Sequence, residues 1–361
     1  MNVDTILSNV LGGARMTTKE AEFLFNTTNR NLWKIVAAAD ELREKKVGNT
    51  VTYVRNMNIH LTNICKNRCG LCAFGKKETD EDAYFFSDEE FREHTRDALA
   101  KNVTEICYLA GIHPSFTVES YEKIIRTFHE EIPGIHVHGC SPDEILYAAS
   151  RSGISTLDAL KRLKAAGLNS VQGTAAEILD DRVRKIICEK KLPTAEWIRI
   201  IKEAGSLGFK ATSTIMYGSV ETTAERARHL EILRTIQDEV PVFTELVPLA
   251  FLHKNTPLEK EGIVNHGSFG REDLLMTAVS RLYLDNIDNI QIPWSKVGQK
   301  MTEACLLAGG NDLGGTMFVD SLSRTAGADD TADYFSPEDM QMMCEDTGRV
   351  LRQRDTLYRL L

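Results

Sequence analysis

Asn63-Ile64-Cys65-Lys66-Asn67-Arg68-Cys69-Gly70-Leu71-Cys72 carries three cysteines, separated by three and then two intervening residues. Three thiolates this close can hold three irons of a four-iron cluster and leave the fourth iron open to a small molecule. Zinc is the competing ligand, but a closed structural zinc site wants a fourth donor, and a second paired-cysteine motif is absent. Disulfides are disfavoured because the stretch from Met1 to Met16 shows no basic-then-apolar leader, so the thiols are expected to stay reduced in the cytoplasm. The remaining five cysteines, Cys107, Cys140, Cys188, Cys305 and Cys344, are scattered and read as small buried apolar residues.

Working outward, the chain has 361 residues, enough for one barrel-sized domain with extensions or for two ordinary domains. Its 42% hydrophobic and 26% charged residues are those of an ordinary globular protein. No apolar run is long enough to span a membrane. The net charge of −9 and the lack of a long Lys/Arg block argue against a nucleic-acid partner.

The first fifty residues read as helices. Beyond them, short β-branched or apolar runs alternate with longer helical periods. Strands are expected at Thr52–Leu61, Glu105–Ala110, Ile135–Gly139, Ser170–Gly173, Lys210–Tyr217, Val242–Leu249, Asn289–Pro293 and Asp312–Phe318. Helices are expected between them, including Ala175–Ile187, with a last one at Pro337–Leu351. Ser87 and Ser336 stand where helix caps are expected. Eight alternations predict an α/β fold of the (β/α)8 TIM-barrel type, with an open doubly wound sheet as the alternative. No G-x-G-x-x-G follows the first strand, which disfavours the open sheet. The expected division is an N-terminal helical extension over 1–50, a barrel over 51–325 and a C-terminal helical extension over 326–361. Both extensions are expected either to cover the barrel ends or simply to complete the core.

The chemically suggestive residues fall just after strands, where barrel active sites are built. The cysteine segment follows the first strand, Gly111-Ile112-His113-Pro114 the second, Cys140-Ser141-Pro142 the third and Gly173-Thr174-Ala175-Ala176-Glu177 the fourth. In Ile135-His136-Val137-His138-Gly139, alternation turns the two histidines toward the lumen. His138, nearer the catalytic end, is a candidate acid/base, whereas His136 reads as a core residue.

With these features in place, the chain resembles the radical S-adenosylmethionine (SAM) superfamily, whose signature is this cysteine spacing. Within it, the chain is similar to the 5-amino-6-(D-ribitylamino)uracil–L-tyrosine 4-hydroxyphenyl transferases of deazaflavin (FO) synthase. The resemblance runs through Asn58–Cys65, Cys72-Ala73-Phe74, Gly111–Pro114, Gly173–Glu177, Met216-Tyr217-Gly218, Phe243-Thr244-Glu245 and Gly310–Thr316, so it covers most of residues 50–330. The menaquinone-pathway enzymes, aminofutalosine synthase and the cyclic dehypoxanthine futalosine enzyme, are near relatives and remain alternatives. One departure is Ala110, where the family usually carries the first of two glycines; glycine permits close backbone approach, and the alanine marks a possible change of reaction.

The resemblance implies a 4Fe–4S cluster on Cys65, Cys69 and Cys72, with SAM chelating the open iron. It implies a 5′-deoxyadenosyl radical that takes a hydrogen from L-tyrosine, and a 4-hydroxybenzyl fragment that joins the diaminouracil. A separate ring-closing lyase would then complete the deazaflavin, and an external electron donor would reduce the cluster. Ala110, Gly111, Gln172, Thr174, Glu177, Met216 and Tyr217 are the expected SAM-side residues. Phe243, Trp294, Asn311, Asp312 and Thr316 are the expected substrate-side residues, and His113 and His138 the expected catalytic ones. The bland readings stand beside these: capping for Thr174, turn chemistry for Asn311 and Asp312, core packing for Phe243, Trp294, Met216 and Tyr217, and a solvated first-turn carboxylate for Glu177. An iron–sulfur or zinc scaffold without catalysis, or a metal-dependent barrel hydrolase or aldolase, are the readings from other classes.

Overall fold

The computed structural model describes residues 1–328 and 333–361; residues 329–332, inside the expected C-terminal extension, lie outside the described residues. Nine strands are seen among the described residues: β1 Thr50–Val54, β2 Asn56–Ile59, β3 Glu105–Tyr108, β4 His136–Gly139, β5 Ser170–Val171, β6 Lys210–Tyr217, β7 Phe243–Ala250, β8 Asp312–Gly315 and β9 Val350–Arg354. All the strand pairings are parallel, and β2 to β7 run in chain order. The ring then closes through single bridges. Leu246 pairs with Ile290, Gln291 pairs with Asp312, and β8 pairs with β1. The segment around 290 is the seventh stave, so the molecule is a (β/α)8 barrel. Each crossover is helical, as parallel neighbours require.

The expected strand Thr52–Leu61 is broken at Arg55. Below the break β1 pairs with β9, and above it β2 pairs with β3. The stave changes partner because the chain's last strand wedges in beside its lower half. The C-terminal extension therefore contains a helix, Pro337–Asp346, and then adds a strand. The helix stops short of the expected Leu351 because Gly348 turns the chain at φ 70°.

That C-terminal strand seals the barrel floor. Arg354 donates from Nε to Asp312 at 2.6 Å and lies 3.4 Å from Glu245, and all three are buried. Tyr358 donates its hydroxyl to Glu245, and Thr52 donates to Asp312 at 2.5 Å. The N-terminal extension takes the second course, completing the core. Its helices Val3–Leu11, Thr18–Phe25 and Asn31–Val47 pack on the flank of the barrel, against Thr223–Glu239 and Gly270–Tyr283. Their apolar faces match those outer helices, so they complete the core there, while Arg15, Asp40 and Lys46 pair with Asp238, Arg349 and Asp288 at the floor rim. Ser87 and Ser336 cap their helices as expected, Ser87 in a full capping box with Glu90.

Removing one partner of a buried ion pair strands the others in low dielectric and typically costs about 3–5 kcal/mol. Arg354→Met is therefore expected to lower unfolding free energy by about 3 kcal/mol or more in urea titrations. A loss below about 1 kcal/mol would show that the floor does not depend on this network.

Candidate active site

The cysteine segment sits over the C-terminal mouth of the barrel because backbone holds it there. Gly111 donates its N–H to Thr62 O at 2.8 Å, Lys66 to Ile112 O at 2.9 Å, and Cys65 to Lys76 O at 3.0 Å. A β-carbon at Gly111 would stand 2.4 Å from the Ile64 carbonyl oxygen, so only glycine fits this approach. The tight position is thus Gly111, and Ala110 beside it is accommodated. Gly173 is equally confined, with a β-carbon placed 1.9 Å from Thr212 O.

Two cavities meet inside the molecule. The upper one, of about 260 Å³, is lined by Cys65, Cys69 and Cys72 together with Ala110, Gly111 and Glu177. Gln172, Thr174 and Met216 also border it. The lower one, of about 240 Å³, occupies the lumen and reaches down to Glu105, Glu245 and Arg354 at the floor. Gln172, Thr174, Thr214 and Lys296 line both. A TIM barrel normally fills its lumen with layered side chains, so an open, largely apolar lumen with a few convergent polar side chains marks a ligand site.

The donor set fits an iron–sulfur cluster. Burial pushes the Cys69 and Cys72 thiols up, and the nearby Lys191 charge opposes this for both. Backbone N–H groups of Gly75 and Phe74 also favour the Cys72 thiolate. Buried thiolates need cationic compensation, which iron supplies. Among the described residues no three Cys, His, Asp or Glu side chains converge on a single ion position. The thiols instead stand around one cavity wall, as separate cluster corners require.

Glu177 lies at the mouth in a left-handed loop rather than in the first turn of a helix. Ala175 and Glu177 have φ of 63° and 44°, and the helix expected from Ala175 begins only at Asp181. The helix-dipole reading of Glu177 therefore falls. Its carboxylate meets Lys191 at 2.5 Å, both being largely buried. Asp143 ties the mouth together, accepting from Asn67 at 2.5 Å and from Leu192 N at 3.1 Å.

His138 faces the lumen, and Trp294 lines it while donating to Gly315 O at 3.0 Å. His138 Nδ1 lies 2.7 Å from Ser170 Oγ, which is also 2.8 Å from His136 Nε2. Burial lowers the His138 pKa to about 4, so the ring is neutral at pH 7.

Six expected site residues lie elsewhere. Tyr217 points outward and donates to Asp273 at 2.8 Å, because alternation on β6 sends Met216 inward and Tyr217 out. Phe243 stacks on Trp197 under the outer helix Thr194–Ser206, with ring centroids 6.3 Å apart. Asn311 accepts from Arg281 at 2.6 Å, and Asp312 is consumed by Arg354; both are at the floor end of β8. Thr316 donates to Asn56 O at 2.9 Å and serves to seam β8 to the first stave. His113 stacks on Phe85 outside both cavities, 2.7 Å from Ser115 Oγ.

The residues that the sequence reading passed over are polar and lumen-facing. Asn58 and Gln291 both line the lower cavity, and neither side chain has a hydrogen-bond partner among the described residues. Their signal was available, since Asn56-Met57-Asn58-Ile59 and Ile290-Gln291-Ile292 alternate polar and apolar like the histidine strand. Lys191, in an irregular turn, carries no such signal.

A parallel barrel with three thiols at its mouth and an open cavity beneath them is the architecture of a radical SAM enzyme. A family model of the radical SAM superfamily matches residues 59–233, and one of the CofH/MqnC C-terminal region matches 241–361. The solved structure of the FeFe-hydrogenase maturase HydG from Carboxydothermus hydrogenoformans is similar in fold, with TM-score 0.74 and 16% identity over 99% of this chain and 80% of that one. Among curated proteins, a 5-amino-6-(D-ribitylamino)uracil–L-tyrosine 4-hydroxyphenyl transferase of Methanoculleus marisnigri is 55% identical over 99% of this chain and 97% of its own. One of Methanosphaerula palustris is 54% identical over 98% and 96%. The chain belongs to this family of radical SAM transferases.

Two predictions follow from the site. Gly111→Ala is expected to reduce iron bound per chain after anaerobic reconstitution at least several-fold, while Ala110→Gly leaves it unchanged; equal iron in both would contradict the seating described. The second concerns acid. His229 accepts from Leu179 N at 2.9 Å, and its Nε2 is 3.0 Å from Thr214 O; burial lowers its pKa to about 3. With folded values below the ordinary 6.5, the unfolded chain binds more protons, so stability is full above pH 6.5 and falls as pH drops. Each such histidine contributes about 1.4 kcal/mol per pH unit in that window. His229→Gln is expected to flatten the slope of unfolding free energy between pH 6.5 and 4 by about that amount, and an unchanged slope would contradict it.

Proposed function

We propose that this chain cleaves L-tyrosine and joins its 4-hydroxybenzyl fragment to 5-amino-6-(D-ribitylamino)uracil, a step in making a deazaflavin. The observation that supports this most is the pair of joined cavities: a thiol-lined chamber opening directly onto a lumen with unpartnered carboxamides. When bound, the cluster on Cys65, Cys69 and Cys72 and SAM supply a 5′-deoxyadenosyl radical able to take a hydrogen from tyrosine.

The protein's own part is positioning, exclusion of water and proton handling. Glu177, Gln172 and Thr174 border the chamber where SAM would lie. Loss of one hydrogen from tyrosine lets its Cα–Cβ bond break, leaving the two-carbon remainder as the imine of glyoxylate; the freed benzylic carbon bonds to the pyrimidine ring, which then gives up one proton and one electron, the bound cluster being the group that would take the electron. Asn58 and Gln291 each present a donor and an acceptor, the complement of a uracil edge. The proton the pyrimidine ring loses once it is oxidised is strongly acidic, so His138, uncharged and only weakly basic, can still accept it. The floor sealed by Arg354 keeps bulk water from that end of the lumen. In this reading the product passes to a separate ring-closing lyase partner, an external donor reduces the cluster, and the reduced thiols are those of a cytoplasmic protein. No helix among the described residues is long and apolar enough to cross a membrane.

The test is anaerobic reconstitution, then incubation with reductant and SAM, with tyrosine and the diaminouracil added singly and together. The expected result is 5′-deoxyadenosine that depends on tyrosine, and a coupled adduct only with both substrates. SAM cleavage without adduct would move the chain toward the futalosine-type reactions, and a cluster without SAM cleavage would leave only a scaffold. His138→Asn is expected to lower adduct formation by about 100-fold or more while SAM cleavage persists.

A further inference from the structure

Lys296 is the one charged side chain among the described residues that lines both cavities. It stands in the short helix Trp294–Val297, just past the seventh stave. No carboxylate lies within 4 Å of its ammonium among the described residues. Its Nζ donates instead to Ser323 Oγ at 2.6 Å, and the Ser323 hydroxyl donates on to Asp320. Asp320 also lines the lumen, is buried, accepts from Ser323 N at 3.1 Å and has no cation within 4 Å among the described residues. Burial opposes ionisation of Asp320, but the Lys296 charge and the Ser323 hydrogen bonds outweigh it and keep its pKa below the ordinary value.

A cation and an anion thus face one cavity, held apart by a single hydroxyl. A buried anion and a half-buried cation that do not touch repay little of the anion's desolvation cost. A ligand carrying both charges on adjacent groups would repay it. An ammonium has three donors and Lys296 uses one, so two remain. The position adds a constraint. The amino acid substrate must put its reacting hydrogen where the upper chamber meets the lumen, and Lys296 is at that junction. SAM also carries an amino acid group, but that group belongs with the open iron on the cysteine side, and Asp320 does not line that chamber.

We propose that Lys296 and Asp320 form the clamp for the zwitterion of the amino acid substrate, Lys296 taking its carboxylate and Asp320 its ammonium. This rests on the transferase reading and deepens it by assigning the two ends of tyrosine. The neutral diaminouracil gains nothing from the pair and is left to the carboxamides deeper in the lumen. Asp320 also caps the helix Ser321–Thr325, which fixes its carboxylate rather than consuming it.

The experiment uses the reconstituted holoenzyme and measures the dissociation constant of L-tyrosine with S-adenosylhomocysteine present, and KM for each substrate in turnover. Tyramine, lacking the carboxylate, and 3-(4-hydroxyphenyl)propionate, lacking the ammonium, serve as competing probes. Lys296→Met is expected to weaken L-tyrosine roughly 10- to 100-fold and leave tyramine unchanged. Asp320→Asn is expected to weaken L-tyrosine similarly and leave 3-(4-hydroxyphenyl)propionate unchanged. Lys296→Arg is expected to recover most of the loss. KM for the diaminouracil and SAM affinity are expected to stay within about threefold in all variants. Uniform weakening of every probe, or a loss confined to SAM or to the diaminouracil, would overturn the assignment. Should Asp320→Asn fail to fold, the Lys296 variants and the wild-type preference for tyrosine over both probes decide alone. A wild-type protein that neither binds tyrosine nor makes tyrosine-dependent 5′-deoxyadenosine would instead overturn the transferase reading.

Discussion

The close backbone contact between Gly111 and the Ile64 carbonyl is the constraint on which the rest of the site depends. It presses the loop after β3 against the cysteine segment, and a single added methyl would meet that oxygen at 2.4 Å. Because of it, the three thiols face into the barrel rather than outward. The chamber they line then opens onto the lumen through Gln172, Thr174, Thr214 and Lys296. Radical chemistry on a small molecule needs this continuity, since the reactive fragment must find its target without crossing solvent.

The second constraint works at the opposite end. A barrel with an empty lumen loses the side-chain layers that normally hold its staves together. Here the chain's own C-terminal strand replaces them at the floor, where Arg354 gathers Asp312 and Glu245. Glu245 is raised to about 7, chiefly by burial. Even so, the Tyr358 hydroxyl and the Arg354 guanidinium both donate to its Oε2. The lumen is thus open where substrate reacts and closed where it would leak.

Much of this was legible in the sequence, and the reasons are particular. The cysteine spacing pointed to the cofactor because three thiols from one short loop can hold three corners of a cluster. The eight alternations gave the barrel because parallel neighbours demand helical crossovers. His138 was placed by strand parity, and the same parity would have found Asn58 and Gln291 had it been applied to their strands. Alternation explains Tyr217, whereas Phe243 shares its parity with the lumen-facing Glu245, Val247 and Leu249 and is turned outward by the register shift between Phe243 and Leu246. Asn311 and Asp312 misled because their distance from the strand's start was not weighed: they stand at its floor end, where residues build the scaffold. The Arg354 plug, the Lys191–Glu177 pair and the Lys296–Ser323–Asp320 relay were not legible at all. Each joins segments far apart in the chain, or irregular turns, and no local period marks such a meeting.

The proposed reaction requires that tyrosine lie at the junction of the two cavities, next to SAM. The most direct measurement is the isotopic content of 5′-deoxyadenosine formed by the holoenzyme with fully deuterated L-tyrosine in D2O, set against each label alone and against a reaction without tyrosine. One deuterium delivered only when labelled tyrosine or its exchanged amino group is present is the predicted result. Unlabelled 5′-deoxyadenosine, or label that arrives equally without tyrosine, would contradict it.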